Sequence, residues 1–291
     1  MASRRSSAVS SVFLAAKAAG GSHNTIEARM QTMERLVDHC YQRGFQINGI
    51  ESIKGKHIAS FINEQRDTHS TRALQNQMSH IRTAMTAAGR GQAAQEKSLS
   101  NASLGIDGAS RAGTKVAATD TQYREAVAKM EERNPSVAAA LQLQRELGLR
   151  AKEAVMCGPS LKAWEKALSG EGRCLVVHGT KGGRDRQVDP PDRAAALEAV
   201  RNAIQKADEN GGRLMEGSLE QALATYHNEM SRHCEITGHQ LRYSFAQESV
   251  DRYVAQGESL KTAYAMTSVD LGHGDGRGTW VKQVYDQRGG D

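Results

Sequence analysis

Apolar residues recur at helical spacing through most of the chain. In the segment from about residue 24 to Gly44, one stripe holds Ile26, Met30, Met33, Val37 and Cys40. The same spacing predicts further helices at residues 10–19, 56–66, 70–89, 121–132, 136–147, 192–208, 218–234, 238–256 and 259–267. A mainly α-helical protein is therefore expected.

One region departs from helical spacing. Residues 173–178 are rich in Leu and Val, residues 179–183 form a Gly-rich turn, and residues 186–188 make a second short apolar stretch. This order predicts a β-hairpin with Lys181 at its tip. A short extended piece is also predicted at residues 47–53. The fold class is then α+β, mainly α with a small β-sheet.

A change of composition divides the chain. From about residue 89 to residue 118, Gly, Ser, Ala, Gln and Asn predominate, and Leu104-Gly-Ile106 is the one apolar anchor. We therefore expect a helical bundle over residues 1–95, a flexible linker over 96–118 and a second domain over 119–291. A chain of 291 residues is long enough for two compact domains.

Positive charge is concentrated in the predicted bundle. Residues 1–95 contain twelve Lys and Arg against six Asp and Glu, a net charge of +6. Because the whole chain carries +5, the remainder carries −1. This excess favours a nucleic acid partner, although an ordinary solvated surface accounts for the charge nearly as well.

The cysteines and the apolar runs predict a cytosolic protein. Cys40, Cys157, Cys174 and Cys234 form neither a Cys-x-x-Cys pair nor a zinc spacing, which indicates reduced thiols and no metal site. The run from Val12 to Ala16 is too short for a signal peptide core. Since no stretch is long enough to span a bilayer, we expect a soluble protein with no membrane partner.

One polar motif begins the predicted helix at residue 238. Thr237 is placed to cap it, and His239 and Arg242 then fall at i and i+3 on one exposed face near its start. An imidazole beside a guanidinium and outward-pointing N–H groups suits an anionic oxygen such as phosphate. Taken alone, such a pair is far more typical of an ordinary surface helix with polar residues, because short motifs often match by accident.

This motif is one of five polar fragments that follow one another along the chain. They are Leu147-Gly-Leu-Arg150-x-x-Glu153, the hairpin Lys181, His239-x-x-Arg242, Leu271-Gly-His273 and Tyr285. In this order they resemble the tyrosine recombinase (phage integrase) family, and the bundle and linker resemble those of its prophage and genomic-island members. The resemblance implies a core-binding domain and a catalytic domain that form a C-shaped clamp around double-stranded DNA, with no metal or nucleotide cofactor.

The chemistry of a phosphodiester suggests roles for three of these residues. The phosphodiester is anionic and its alkoxide is a poor leaving group, so a catalyst without a metal must supply fixed positive charge and a proton donor. Arg150 and Arg242 would clamp the non-bridging oxygens. Tyr285 would be the nucleophile, because a phenol leaves readily in the reverse step. The phosphotyrosyl bond conserves the energy of the broken strand, so rejoining needs no ATP.

The resemblance implies roles for the other polar residues. His239 would accept the phenol proton or hydrogen-bond the phosphate, and His273 would hydrogen-bond the phosphate. Lys181 would donate a proton to the leaving 5′ oxygen. Glu153 would orient an arginine or the histidines.

Three functions remain open at the level of sequence. The first is a site-specific recombinase that integrates or excises a mobile element, working as a homotetramer on paired sites with accessory DNA-bending proteins at the bacterial nucleoid. The second is a catalytically silent DNA-binding regulator, and the third is a relaxing topoisomerase. The interval between His273 and Tyr285 is longer than is usual in the family, because Gly274-Asp-Gly-Arg-Gly278 lies within it. Delivery of the tyrosine in cis or in trans is open as well.

Overall fold

The computed structural model describes residues 4–109, 116–274, 276–286 and 288. The helices of the first part are α1 (Arg4–Ala18), α2 (His23–Gln42), α3 (Gly55–Glu64), α4 (Thr71–Ala87) and α5 (Gly91–Ala94). Those of the second part are α6 (Asp120–Arg133), α7 (Pro135–Leu147), α8 (Ala151–Val155), α9 (Leu161–Ser169), α10 (Arg193–Glu209), α11 (Leu219–His233), α12 (Gly238–Ala255), α13 (Leu260–Asp270) and α14 (Gly278–Val284). The strands are β1 (Cys174–Val176) and β2 (Arg186–Val188). The predicted fold class, mainly α with a small sheet, is confirmed.

The chain divides into two compact units, residues 1–110 and residues 111–291. Each unit has its own hydrophobic core. In the first, Met33, Met78 and Met85 are fully buried among the helices. Arg29 joins α1 to α2 by donating to the backbone oxygens of Ala16 and Gly20 at 2.8 and 2.9 Å.

Part of the segment predicted as a flexible linker packs on the first unit. Leu99, Leu104 and Ile106 are buried in its core, and Arg82 donates to the backbone oxygen of Leu99 at 2.7 Å. Three apolar side chains suffice to hold a segment whose overall composition is that of a linker. Residues 110–115 of the predicted linker lie outside the described residues.

The extended piece predicted at residues 47–53 is wrong. Residues Ile50–Ser52 form a 3₁₀ turn. The Ser52 hydroxyl accepts hydrogen bonds from the backbone N–H groups of Asn48 and Gly49 at 2.9 and 3.2 Å, so the chain closes on itself there. The buried isoleucines reflect this turn rather than a strand.

The second unit is built around α7, which packs against α6, α10 and α12. Helix α7 ends at Leu147 and is capped by Gly148, whose φ of +57° is left-handed. A β-carbon there would lie 2.5 Å from the Phe245 ring, so only glycine fits this close approach to α12. The chain then enters α8 directly, which places Arg150 beside the end of α7.

Strands β1 and β2 form an antiparallel hairpin, as predicted. Cys174 pairs with Val188, and Val176 pairs with Arg186. Trp164 of α9 donates its indole N–H to the backbone oxygen of Leu175 at 2.7 Å, which holds the hairpin to the helices.

The last part of the chain is not the short tail that the sequence suggested. Residues Gly278–Val284 form α14, which packs on α13 and places Tyr285 at its end. Gly278 comes so close to α13 that a β-carbon would lie 3.0 Å from the Ala265 nitrogen. Burial of Val281 explains the helix.

In the described ranges, no helix has both the length and the apolar character needed to cross a bilayer. Among the same residues, no group of three His, Cys, Asp or Glu side chains is arranged to hold a metal ion. All four cysteines are free thiols.

Candidate active site

Helix α12 supplies the central arginine of the site. The helix begins at Gly238, and the Gln240 side-chain oxygen accepts the Thr237 N–H at 2.9 Å. The prediction that Arg242 lies on an exposed face is wrong, because its side chain is fully buried. His239, by contrast, is exposed at the start of the helix.

Arg242 is buried because its guanidinium finds acceptors inside the unit. It donates to the backbone oxygens of Gly148 and Leu271, and its charged carbon lies 6.0 Å from the centre of the Tyr285 ring. Burial lowers the pKa of Arg242 to about 10, which leaves it protonated at neutral pH. The guanidinium has further N–H donors beyond the two that these carbonyls engage. A buried positive charge therefore faces the phenol.

Arg150 and Glu153 form a second charged group at the start of α8. The Arg150 side chain donates to Glu153 Oε1 at 2.6 Å, and its backbone N–H donates to Glu153 Oε2 at 2.8 Å. Its other terminal nitrogen lies 3.4 Å from the Leu271 oxygen. Glu153 is fully buried, whereas a quarter of the Arg150 side chain is exposed. Arg150 is thus placed to reach a ligand from solvent while its side chain is hydrogen-bonded to Glu153.

A third arginine, Arg186 of β2, was not among the residues predicted from the sequence. Its guanidinium donates to Glu153 Oε2 at 2.7 Å and to the Gly148 backbone oxygen at 3.3 Å. It also donates to the backbone oxygen of Asp270. One signal in the sequence points to it. Arg186 and Val188 share a face of the strand, and a charged residue on a core-facing position requires a buried partner.

Glu153 accepts hydrogen bonds from two of the three arginines, Arg150 and Arg186. Burial by itself raises the pKa of Glu153, but the charges of Arg186, Arg242 and Arg150 outweigh that effect and bring the pKa down to about 2. The carboxylate is therefore ionised at any physiological pH. Three guanidinium groups share one full negative charge, and the surplus of positive charge favours an anionic ligand.

His273 meets Tyr285 beside this cluster. The His273 Nε2 and the Tyr285 hydroxyl oxygen are 3.1 Å apart, within hydrogen-bonding distance. Burial, together with the charges of Arg242 and Arg150, lowers the pKa of His273 to about 3. The imidazole is then neutral at physiological pH and has a lone pair that can accept the phenol proton.

Aromatic rings surround Tyr285, which is only 4% exposed. The Tyr243 ring centre lies 4.8 Å from that of Tyr285, and the His239 ring centre lies 6.1 Å from it. Tyr243, Tyr253 and Tyr264 lie on helices and are buried in the core, which agrees with the packing role predicted for them.

The residues after α14 are held to α12 and α13. Gln247 of α12 donates to the Tyr285 backbone oxygen at 3.0 Å. Arg288 pairs with Asp286 at 2.7 Å and with Asp251 of α12 at 2.8 Å. These contacts hold the phenol beside the arginines of its own chain.

The structure does not bring Lys181 into this cluster. Lys181 is exposed on the turn between β1 and β2. In the part of the chain that the structure describes, no hydrogen bond or ion pair joins it to the arginines or to Tyr285. Of the seven residues predicted for the site, the other six lie together: Arg150, Glu153, His239, Arg242, His273 and Tyr285.

Comparison with protein families assigns the class. The model described as "Integrase" matches residues 105–248, and the model described as "Phage integrase, N-terminal" matches residues 8–94. Both are integrase domains, in the order in which the two units occur. The chain belongs to the tyrosine recombinase (phage integrase) family. No curated protein matches the sequence significantly.

Solved structures share the fold at low sequence identity. A lambda integrase tetramer bound to a Holliday junction matches with a TM-score of 0.59 and 16% identity, over 96% of this chain and 76% of that chain. The Tn1549 transposon integrase in complex with transposon right end DNA matches with a TM-score of 0.57 and 15% identity, over 95% of this chain and 94% of that chain. The same integrase with circular intermediate DNA gives a TM-score of 0.54.

Proposed function

We propose that the protein is a site-specific recombinase that integrates or excises a mobile DNA element. It cleaves each strand through a 3′-phosphotyrosyl intermediate on Tyr285 and then rejoins it to a new partner. The observation that carries the proposal is the 3.1 Å distance between His273 Nε2 and the Tyr285 hydroxyl, beside a cluster of three arginines. A neutral imidazole, a phenol and surplus positive charge are what phosphoryl transfer to tyrosine requires.

Each residue then has a part in strand cleavage. Arg150 binds a non-bridging phosphate oxygen from the exposed side, and Arg242 stabilises the growing negative charge from the interior. The Tyr285 oxygen bonds to phosphorus while its proton passes to His273. This departs from the sequence prediction, in which His239 was the first candidate to accept that proton. His239 instead hydrogen-bonds the phosphate from the start of α12.

The leaving group needs a proton as the phosphorus–oxygen bond breaks. Lys181 supplies it to the 5′ oxygen, which leaves as a hydroxyl group. Because the phosphotyrosyl ester retains the energy of the broken phosphodiester, attack by another 5′ hydroxyl reverses the steps. Rejoining therefore consumes no nucleotide.

The first unit serves as the core-binding domain. Its net charge of +6 over residues 1–95 supports electrostatic attraction to duplex DNA. Lys54 and Lys56 are exposed at the start of α3, where the N–H groups of the first helical turn also favour phosphate.

Recombination joins two sites, so several protomers act together. The structural neighbour that is a tetramer on a Holliday junction supports a homotetramer on paired sites. Accessory DNA-bending proteins would bring the sites together, and the protein would act on the bacterial nucleoid in the cytoplasm. The contacts of Gln247 and Arg288 support delivery of the phenol in cis.

Trapping the covalent intermediate tests the proposal. DNA sites are first selected from a randomised duplex library by binding to the protein, and then rebuilt as duplexes with a nick near the cleavage position. Loss of the short fragment blocks rejoining, so the wild-type protein accumulates a covalent adduct. Tyr285→Phe should bind the same sites without forming an adduct. Binding without any adduct from the wild type would favour a silent DNA-binding regulator, and relaxation of supercoils without joined products would favour a topoisomerase.

A further inference from the structure

Arg186 links two parts of the second unit that the proposed chemistry must bring together. Its side chain is 3% exposed, and it bonds to the Glu153 carboxylate and to the backbone oxygens of Gly148 and Asp270. These acceptors lie at the start of α8, the end of α7 and the end of α13. One side chain thus fastens β2 to three helices.

Arg186 shares its acceptors with the other two arginines. Glu153 binds Arg150 with its Oε1 and Arg186 with its Oε2. The Gly148 oxygen accepts from both Arg186 and Arg242. The position of β2 is therefore set by the same groups that position the arginines of the site.

The hairpin has a second point of attachment on the other side of its turn. Gly179 has a φ of +75°, and a β-carbon there would lie 2.6 Å from the backbone oxygen of Lys152. The hairpin backbone thus lies against the first turn of α8. Between the two attachments, Gly182 and Gly183 have positive φ with open space around them, so they do not fix the turn themselves.

Lys181 lies between these attachments, five positions before Arg186. We propose that Arg186 is a positioning residue, which seats the hairpin on the arginine cluster so that the Lys181 ammonium reaches the leaving 5′ oxygen. The inference rests on the proposed function. In the step concerned, the bond between phosphorus and the Tyr285 oxygen forms and the bond to the 5′ oxygen breaks. The Lys181 ammonium gives that oxygen its proton and becomes a neutral amine.

A sulfur substitution separates this role from a general structural one. When the bridging 5′ oxygen is replaced by sulfur, the leaving thiolate needs no proton, because a thiol is far more acidic than an alcohol. Lys181→Ala should slow cleavage of the oxygen substrate by about 100-fold or more and cleave the sulfur substrate at nearly the wild-type rate. Arg186→Lys and Arg186→Gln should lose about tenfold or more on oxygen and recover on sulfur in the same way.

The double variant gives an independent measure. If both residues act on one proton transfer, Arg186→Lys combined with Lys181→Ala should be no slower on oxygen than Lys181→Ala alone. Thermal melting and noncovalent DNA binding confirm that each variant is folded. Should neither Arg186 variant fold, Gly179→Ala displaces the same hairpin without changing any charge, and it should show the same recovery on sulfur.

Two outcomes overturn the inference. The first is an Arg186 variant that folds but is equally slow on both substrates, which would mean that Arg186 acts on the arginine cluster and not on Lys181. The second is an additive loss of rate in the double variant. If neither Arg186 variant folds, the corresponding outcome is that Gly179→Ala is as slow on the sulfur substrate as on the oxygen substrate. Failure of the proposed function is distinct from these, since the wild type would then form no adduct with either substrate.

Discussion

At the scale of single residues, the proposed cleavage step depends on the protonation state of His273, which would accept the proton of the Tyr285 phenol. In the free protein, burial and the neighbouring arginines lower the pKa of His273 to about 3. A bound phosphate adds negative charge to the same cluster and offsets those arginines. We therefore expect the pKa of His273 to rise when DNA binds, which makes it a better proton acceptor when the substrate is present.

Nuclear magnetic resonance of labelled histidines measures this directly. His273 is assigned by the loss of its signal in His273→Asn. In the free protein its ring should stay neutral from pH 8 to below pH 5, and DNA should move its titration to higher pH. A free-protein titration near the ordinary value of 6.5 would contradict the expected neutral state.

The same pKa shift makes stability depend on pH. Below pH 6.5 the unfolded chain protonates this histidine, whereas the folded protein does not until about pH 3. The free energy of unfolding should therefore fall with decreasing pH in that window, by up to about 1.4 kcal/mol per pH unit. Denaturant titrations at a series of pH values give the free energy of unfolding of wild type and of His273→Asn. Plotted against pH, the two free energies should differ in slope by this amount. Parallel curves would contradict the assignment.

Substitutions at Tyr243 test whether ring packing holds Tyr285, the proposed nucleophile, in place. Its ring centre lies 4.8 Å from that of Tyr285. Tyr243→Phe keeps that contact, so we expect strand cleavage within about twofold of wild type. Tyr243→Ala removes it and should cleave roughly tenfold more slowly, since an aromatic pair contributes about 0.5–1.5 kcal/mol. Equal rates for the two variants in a single-turnover assay would show that the ring is not needed.

The residues of the site could be predicted only in part. The order of Arg150, His239, Arg242 and Tyr285 along the chain was sufficient to nominate them. It did not show that Arg242 would be buried. Helical spacing predicts the face of the helix on which a residue lies, but not that a long side chain on that face reaches two buried carbonyls. Arg186 was missed because its partner Glu153 is distant in sequence.

At the scale of secondary structure elements, the junction of α7 and α8 sets the geometry of the arginines. Gly148 combines a left-handed backbone with a close approach to Phe245, and its carbonyl accepts from Arg186 and Arg242. A side chain at this position would strain the backbone and push α12 away. The junction is therefore expected to tolerate substitution poorly.

Two glycine substitutions separate these effects. Gly211 has a similar φ of +64° but open space around it. Gly211→Ala should therefore lower the free energy of unfolding only by the left-handed backbone strain, about 1–2 kcal/mol. Gly148→Ala should lose a further amount of about 1–3 kcal/mol through overpacking against Phe245. Denaturant unfolding measures both. An equal loss of stability in the two variants would contradict the close approach.

Most elements could be predicted from the sequence because their apolar spacing is regular. The failures share a cause, since each depends on contacts that periodicity does not report. The predicted extended piece became a turn through the Ser52 hydroxyl. The expected tail is the helix α14 because Val281 is buried and Gly278 packs against α13. Part of the predicted linker packs on the first unit through Leu99 and Leu104.

At the scale of the whole molecule, the charge of the first unit should govern binding to duplex DNA. Each phosphate contact contributes about −0.9 to the slope of log affinity against log salt concentration. Replacing both Lys54 and Lys56 by Ala should therefore reduce the slope by about 2 in magnitude. Lys206→Ala is the control, because that lysine is already paired with Glu209 in α10 at 3.0 Å. An unchanged slope in the double variant would exclude these two lysines from the interface.

We propose that Tyr285 becomes joined to a broken DNA strand, and mass spectrometry of the trapped adduct identifies the residue that carries the DNA. After protease and nuclease digestion, we expect a residual nucleotide linked through its 3′ phosphate to the peptide that contains Tyr285. Attachment at Tyr243 or any other residue, or a link through a 5′ phosphate, would contradict it.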